Sequence, residues 1–450
     1  MDATTARLVR YTLETRYEDL SAATVDACKL RLLDTLGCAA GAYRHPLSAA
    51  ARDLALRYRS DASATVFGGR ERVAAEMAAF ANGVMLRVLD LSDMYRVKSG
   101  GHPSDVIAAV LAASELGARD GRSVITAIAV AYEVYCSCCD AIDLNSQGWD
   151  QPVYSVVASV LAAGRLMGLD AQRMAHAVSL ALVPNMAMYQ TRHGELSSWK
   201  GCAGANASRN AIFAALLAQS GFTGPEACIE GKHGLWDAVG RFDWPIVPGD
   251  SPQRITRTHI KCFPVCYHGQ SAVWTALGLR DRVRIQDIEE LHIVTYRTAY
   301  AMMGSEPSRW APKTAETADH SLPYVVACAL VDGKVDEASF HPERLNEPRI
   351  AALMVRIKVA EDDAFSALYP ESSPCRIEVR LSDGNFVSNE VRYPKGHERS
   401  PLTPVEVAQK FRGLFENFGA ADRAEAVVGT VGRLERVADV SELYRAMVGA

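Results

Sequence analysis

The chain has 450 residues, 49% hydrophobic and 22% charged, with 48 Lys and Arg against 53 Asp and Glu and a formal net charge of −5. That length exceeds what one hydrophobic core organises, so two domains are expected, and the composition excludes a disordered tail or linker. Mild acidity with no Lys/Arg run argues against a nucleic-acid partner, whose phosphates draw on clustered cationic surface.

The N-terminal stretch carries charges throughout and shows no apolar core of a secretory signal. From Val106, VIAAVLAASELGA is interrupted by Ser and Glu, and no apolar stretch is expected to reach the ~18 residues that cross a bilayer. Eleven cysteines, an odd number, point to free thiols in a reducing compartment, and the expected location is the cytoplasm, away from membranes. Cys136, Cys138 and Cys139 lie inside an apolar helical run and read as buried small hydrophobes, as do Cys262 and Cys266.

In chain order, the signal up to about residue 265 is helical. Val25, Cys28, Leu32 and Leu36 repeat every three or four residues between Ser21 and Gly37. Ser104 precedes VIAAVLAASELG and Ser123 precedes VITAIAVAYEVY, each in the place of a cap. Val153 to Met167 runs apolar to Gly168, Asp170 opens another helix, and Asn206 to Gly221 closes on its glycine. Abundant alanine predicts a close helical bundle.

After about residue 280 the period changes to two. Leu291 to Thr295 and Met354 to Val359 alternate, and Ile377, Val379 and Leu381 lead through Ser382-Asp383-Gly384-Asn385 into a second strand, which predicts a hairpin. Two helical patterns, Gln270 to Leu279 and His320 to Val331, sit in this region. Thr403, Pro404 and Glu406 then form a capping box ahead of Val407, Phe411, Leu414 and Phe418. The expected fold is mainly α: an all-helical domain over residues 1–265, completed by 400–450, with an α+β domain over 270–395 inserted before the C-terminal helices.

The usual nucleotide, zinc-protease and serine-hydrolase motifs are missing. Four polar stretches at element ends remain. Asp90, Asp93, Lys98 and His102 crowd a glycine-containing loop that runs into Ser104 at a helix start, where free N–H groups attract an anion or serine merely caps. Lys200 follows Trp199 at another helix start, placed to grip a carboxylate or to lay its stem over the indole. Lys261 and His268 bracket Pro264 at the expected junction of the two domains, where clefts form. Asp319, His320 and Tyr324 stand at a helix start that Thr317 or Asp319 could cap.

Five segments in this order, GHPSD from Gly101, WKGCAGANASRN from Trp199, KCFPVCYHGQ from Lys261, ETADHSLPYVVA from Glu316 and YPKGH from Tyr393, resemble the MmgE/PrpD family over nearly the whole chain. The resemblance implies a large helical domain with a smaller α+β lid, a homodimer, no metal or organic cofactor, and an interdomain cleft for a small di- or tricarboxylate. It implies functional roles for Asp90, His102, Lys200, Lys261 and Tyr324, with His268 in the dehydratase arrangement and Asp93, Gln151 and Ser104 as further substrate contacts.

The implied activity is a cofactor-independent lyase of propionate catabolism, a hydro-lyase on a citrate-type hydroxy-tricarboxylate such as 2-methylcitrate. The alternatives are a cis-aconitate-type decarboxylase, an epimerase of a small dicarboxylate, or a non-catalytic carboxylate-binding module. Asp150 and Cys266 stand where the decarboxylase pattern has histidines, and Met94 where a threonine is expected, which disfavours decarboxylation. In the dehydratase scheme Lys200 and Lys261 stabilise charge developing beside a carboxylate. His102 is the candidate base, its tautomer held by Asp90, and His268 the candidate acid, with these two roles interchangeable.

Overall fold

Small side chains on facing helices decide how closely two parts of the future site approach. The helix Ala75–Arg87 lies along the helix Trp199–Gln219 in the most extensive helix pairing of the molecule. A Cβ placed on Gly83 would stand 2.8 Å from the Cβ of Ala205 and 2.9 Å from its Cα, so the backbones meet with no space between them. This contact carries Arg87, at the end of one helix, and Lys200, in the first turn of the other, toward the same region.

The computed structural model describes residues 1–448, with 56% helix and 9% strand, a mainly α protein with small sheets. Around the central pair stand the helices Ala22–Gly41, Ile107–Leu116, Gly121–Ala141, Pro152–Met167 and Ala171–Leu182. Apolar burial falls mainly into two clusters, one from residues 8–260 and 407–447 and another from 265–379. Helix Pro404–Phe415 returns to the first of these and packs on Ala22–Gly41, where Phe411 covers Gly37 and Leu414 covers Gly41.

Several local readings of the chain agree with the structure. Ser21 and Asp170 cap their helices through side-chain oxygens, Gly168 ends its helix in the left-handed conformation, and Thr403 with Glu406 forms a capping box. Others are corrected. The helical region also contains two short antiparallel pairs, β1 (Ser63–Thr65) with β2 (Arg72–Ala74) and β3 (Tyr95–Arg96) with β4 (Gly100–Gly101). Asp120, not Ser123, caps Gly121–Ala141, because its carboxylate is three residues upstream and accepts the Ser123 N–H. The helix expected from Asn206 begins at Trp199.

Helix Gly121–Ala141 is also long and apolar enough to cross a membrane, against the expectation drawn from interrupted apolar runs; 89% of its apolar window is buried inside the protein. Its Cys136, Cys138 and Cys139 are buried free thiols.

The remaining sheet has four strands, β5 (Ile288–Thr295), β6 (Ile357–Glu361), β7 (Cys375–Leu381) and β8 (Phe386–Val391), in the order β6-β5-β7-β8. β5 and β6 run parallel, with Leu291 opposite Ile357, while β7 and β8 form the antiparallel hairpin that the turn residues predict. The alternation around Met354 overstates its strand. Pro348–Met354 is helix, which buries Ile350, Leu353 and Met354 on one side before β6 starts. Helices Gln270–Leu277 and Leu322–Asp332 pack together beside the sheet.

The two clusters are joined at residues 258–270. Ile260 donates its N–H to Gly396 in the YPKGH segment, and Cys266 donates its N–H to the Asp319 carbonyl at 3.0 Å. Lys410 ties the same junction from below, donating to the Lys261 carbonyl at 2.7 Å and pairing with buried Asp34 at 2.6 Å.

The close approach at Gly83 yields a test. In an exposed helix Gly→Ala adds about 1 kcal/mol of stability, whereas overpacking a full core costs about 1–3 kcal/mol. Gly83→Ala is therefore expected to lower the urea midpoint with an unchanged slope, a net loss of up to about 2 kcal/mol.

Candidate active site

Asp90 is the point on which the charged groups converge. It follows the helix that ends at Arg87 and adopts φ +49°, a left-handed conformation uncommon outside glycine, asparagine and aspartate. The turn brings its carboxylate within 2.6 Å of the Arg87 guanidinium, 2.7 Å of Lys261 Nζ and 3.3 Å of Lys200 Nζ. Lys261 also donates to the Asp90 carbonyl at 2.8 Å. Burial alone would favour the neutral acid, but Arg87, Lys200 and Lys261 hold the Asp90 carboxyl well below the ordinary range. Burial lowers Lys261, which Asp90 partly offsets.

His102 stands at the end of the β3–β4 loop, before Pro103. Its Nδ1 lies 2.7 Å from the Asp93 carbonyl and its Nε2 3.7 Å from Asp90 Oδ1. Since a carbonyl only accepts, Nδ1 carries the hydrogen, and Nε2 keeps a lone pair in the neutral ring. The tautomer is thus held by the Asp93 backbone, which corrects the role expected of Asp90. Burial, with Arg87 and Lys261 nearby, lowers His102 well below the ordinary histidine range. The Asp93 side chain lies behind the loop and accepts the Ser104 N–H at 3.0 Å; burial raises its carboxyl.

Ser104 does not cap a helix. It sits in the turn Pro103–Val106, and its buried hydroxyl meets hydrogen-bond geometry with no partner among the described residues. Gln151, at the start of Pro152–Met167, accepts the His102 N–H at 2.7 Å and the Tyr135 hydroxyl at 3.1 Å. A Cβ on Gly101 would overlap both Gln151 Oε1 and the Tyr135 hydroxyl, so glycine is needed for that approach.

Asp90, His102, Gln151, Lys261 and His268 line one cavity that is partly open to solvent. Four cationic side chains, Arg87, Arg96, Arg192 and Lys261, face it against two carboxylates, Asp90 and Asp150. Lys200 stands just behind, on Asp90 and Asp319. The surplus of positive charge at a partly closed cavity suits a polyanion. Three arginines were not singled out by sequence. Arg87 could have been noticed from its i,i+3 spacing to Asp90. Arg96 and Arg192 carry no such signal.

Arg192 grips Asp150 through Nε at 3.1 Å from both oxygens and through a terminal nitrogen at 2.9 Å. Asp150 therefore functions as the anchor of an arginine, a role that its position in the chain does not reveal. Met94 lines the cavity and pairs through its backbone with His259.

Residues 265–379 supply the opposite wall. His268 Nδ1 is hydrogen-bonded to the Tyr296 hydroxyl, and Tyr296 stacks on Tyr369 with centroids 4.7 Å apart. Burial, with the charges of Arg96, His320 and Lys261, lowers His268 well below the ordinary value. Arg96 reaches across to the Tyr369 hydroxyl. Tyr324 lies elsewhere: its hydroxyl donates to the Ser339 carbonyl at 2.7 Å within the α+β core, outside the cavity lining. Thr314 and Ser321 cap the two helices around it, which leaves Asp319 free to bind Lys200 at 2.7 and 3.0 Å and to hold His320 Nδ1.

Among the described residues, Asp90, Asp319 and His320 place potential metal-ligand atoms within 4.8 Å of one another. Lys200 Nζ already bridges the two carboxylates, so the donor set fits an ammonium ion better than a metal.

Two outcomes are expected. Asp90→Asn keeps the turn but leaves three buried cations without their shared counter-charge; unfolding in urea should show a loss of about 3–5 kcal/mol. In ¹⁵N NMR, His102 should remain the neutral Nδ1–H form through pH 6. Its folded value lies below the unfolded 6.5, so only the unfolded chain gains a proton there as pH falls, and this residue's contribution then lowers stability.

The chain is similar to known proteins over most of its length. The chain is 28% identical over 427 residues to a 2-methylcitrate dehydratase of Cupriavidus necator, covering 88% of this chain and 87% of the relative. It is 29% identical to a 2-methylcitrate dehydratase of Salmonella typhimurium, covering 88% and 87%. It is 24% identical to a cis-aconitate decarboxylase of Mus musculus, covering 87% and 82%. With residues 6–244 matching the MmgE/PrpD N-terminal domain and residues 263–435 the MmgE/PrpD C-terminal domain, the chain belongs to the MmgE/PrpD family.

Proposed function

We propose that this protein is a lyase that removes water from a citrate-type hydroxy-tricarboxylate, of which 2-methylcitrate is the leading candidate. The observation that carries the reading is a neutral imidazole, His102 with Nε2 unprotonated, in a cavity whose cations outnumber its carboxylates. The two relatives named 2-methylcitrate dehydratase support the same reaction class.

Abstraction of a proton next to a carboxylate places a second negative charge on an anion, so fixed cations are the main requirement. Lys261, Lys200 and Arg87 stabilise that charge without reorganising, because Asp90 already fixes their positions. His102 Nε2 takes the carbon-bound proton, the C–H electrons form the double bond, and the C–O bond breaks. His268, neutral in the free cavity, takes up a proton as the bound polycarboxylate offsets the charges of Arg96, His320 and Lys261, donates it from Nε2 so that the hydroxyl leaves as water, and returns to the neutral ring with Nδ1 held by Tyr296. The segment 265–379 acts as a lid in this scheme, bringing His268 and the tyrosine wall over the substrate.

The free cavity depresses His102 by burial and then by Arg87 and Lys261. A bound polycarboxylate adds negative charge beside the ring and raises it toward neutrality, where a base is most effective. The acid limb of kcat is accordingly expected at higher pH than that of kcat/KM.

Purified protein incubated with hydroxy-tricarboxylates should generate C=C absorbance without CO2 release. His102→Asn and Lys200→Met should each lower kcat by about 10²- to 10⁴-fold with far-ultraviolet circular dichroism unchanged. Parental turnover by either variant, or CO2 as the product, would falsify the assignment.

A further inference from the structure

Cys266 departs from the reading of the cysteines as inert packing. It lines the cavity together with His320, whose Nδ1 is held by Asp319, while the Cys266 N–H is fixed on the Asp319 carbonyl at 3.0 Å. That backbone contact sets Cys266 beside the Asp319–His320 pair, with the thiol and the imidazole on the wall of the same cavity. The mechanism above does not use the thiol.

We propose that Cys266, His320 and Asp319 form a thiolate–imidazolium–carboxylate relay, and that Cys266 is a nucleophilic site for small electrophiles that carry a carboxylate. Asp319 orients the imidazole and balances its charge, the imidazolium stabilises the thiolate, and Lys261 with Arg87 in the same cavity draws in the anionic reagent. The preference for an anionic reagent rests on the cavity being a carboxylate site; the thiolate pair does not.

The protonation equilibria agree. Burial would push the Cys266 thiol up, yet His320 brings it below its ordinary value, and Cys266 with Asp319 raises His320 against the effect of burial and Lys200. Burial raises all ten other cysteine thiols, including half-buried Cys262, which reaches about 11.

With iodoacetate as the probe, Sγ attacks the methylene carbon, the S–C bond forms as the C–I bond breaks, iodide leaves, and His320 keeps its proton. The experiment alkylates the intact chain at pH 7 with iodoacetate or the neutral iodoacetamide, with peptide mapping of all cysteines. Iodoacetate is expected to label Cys266 at least about tenfold faster than any other cysteine and faster than iodoacetamide does. Citrate should protect the unsubstituted protein, and His320→Gln should slow labelling about tenfold.

Labelling of Cys262 ahead of Cys266 would overturn the relay. Equal rates for the two reagents at Cys266 would overturn the preference for anions. Turnover of citrate-type acids is scored separately: labelled Cys266 without turnover counts against the dehydratase and supports the relay, and turnover with unlabelled Cys266 does the reverse.

Discussion

A single buried carboxylate organises the centre of this protein. Asp90 is buried, and Arg87, Lys200 and Lys261, drawn from three separate parts of the chain, supply the compensation. None of those cations would be tolerated there alone, since an unpaired buried charge costs several kcal/mol. The left-handed backbone at Asp90 is the local consequence: a strained residue persists where its surroundings over-determine it.

Around that hub the remaining charges pair in a way that leaves positive potential facing the cavity. Asp150 engages Arg192 and Asp319 engages Lys200, while Arg96 donates to the Tyr369 hydroxyl and pairs with no carboxylate among the described residues. The arrangement gives Asp90, Asp150 and Asp319 each a cationic hydrogen-bond partner. His102 and His268 remain uncharged in the same field because burial and the cations act in one direction on both. His320 shifts the other way: burial alone would lower it, but Cys266 and Asp319 as neighbours raise it above the ordinary histidine range.

Much of the secondary structure was legible in the chain because its signals are local. Serine, aspartate or threonine before an apolar repeat stops water from competing for the first N–H groups, as at Ser21, Asp170 and Thr403. The errors came where two local signals competed or a tertiary contact prevailed. Ser104 has the sequence of a cap, but its N–H is taken by Asp93 and its hydroxyl meets hydrogen-bond geometry with no partner among the described residues. Tyr324 stands beside the conspicuous Asp319-His320 pair, yet helical geometry turns its ring into the α+β core, where Ser339 receives the hydroxyl.

By itself the sequence determined most of the helices and the β7–β8 hairpin, that the period changes near residue 280, and that His102, Lys200, Lys261 and His268 belong to polar stretches at element ends, since backbone hydrogen bonding and apolar periodicity act over a few residues. Tertiary structure alone decided that Arg96 and Arg192 join them, that the Asp93 carbonyl and not Asp90 sets the His102 tautomer, and that Cys266 and His320 line the same cavity. Those outcomes depend on charges distant in the chain being brought within a few ångströms in a medium of low polarity, where pairing energies are set by position in space and leave no periodic trace in the order of residues.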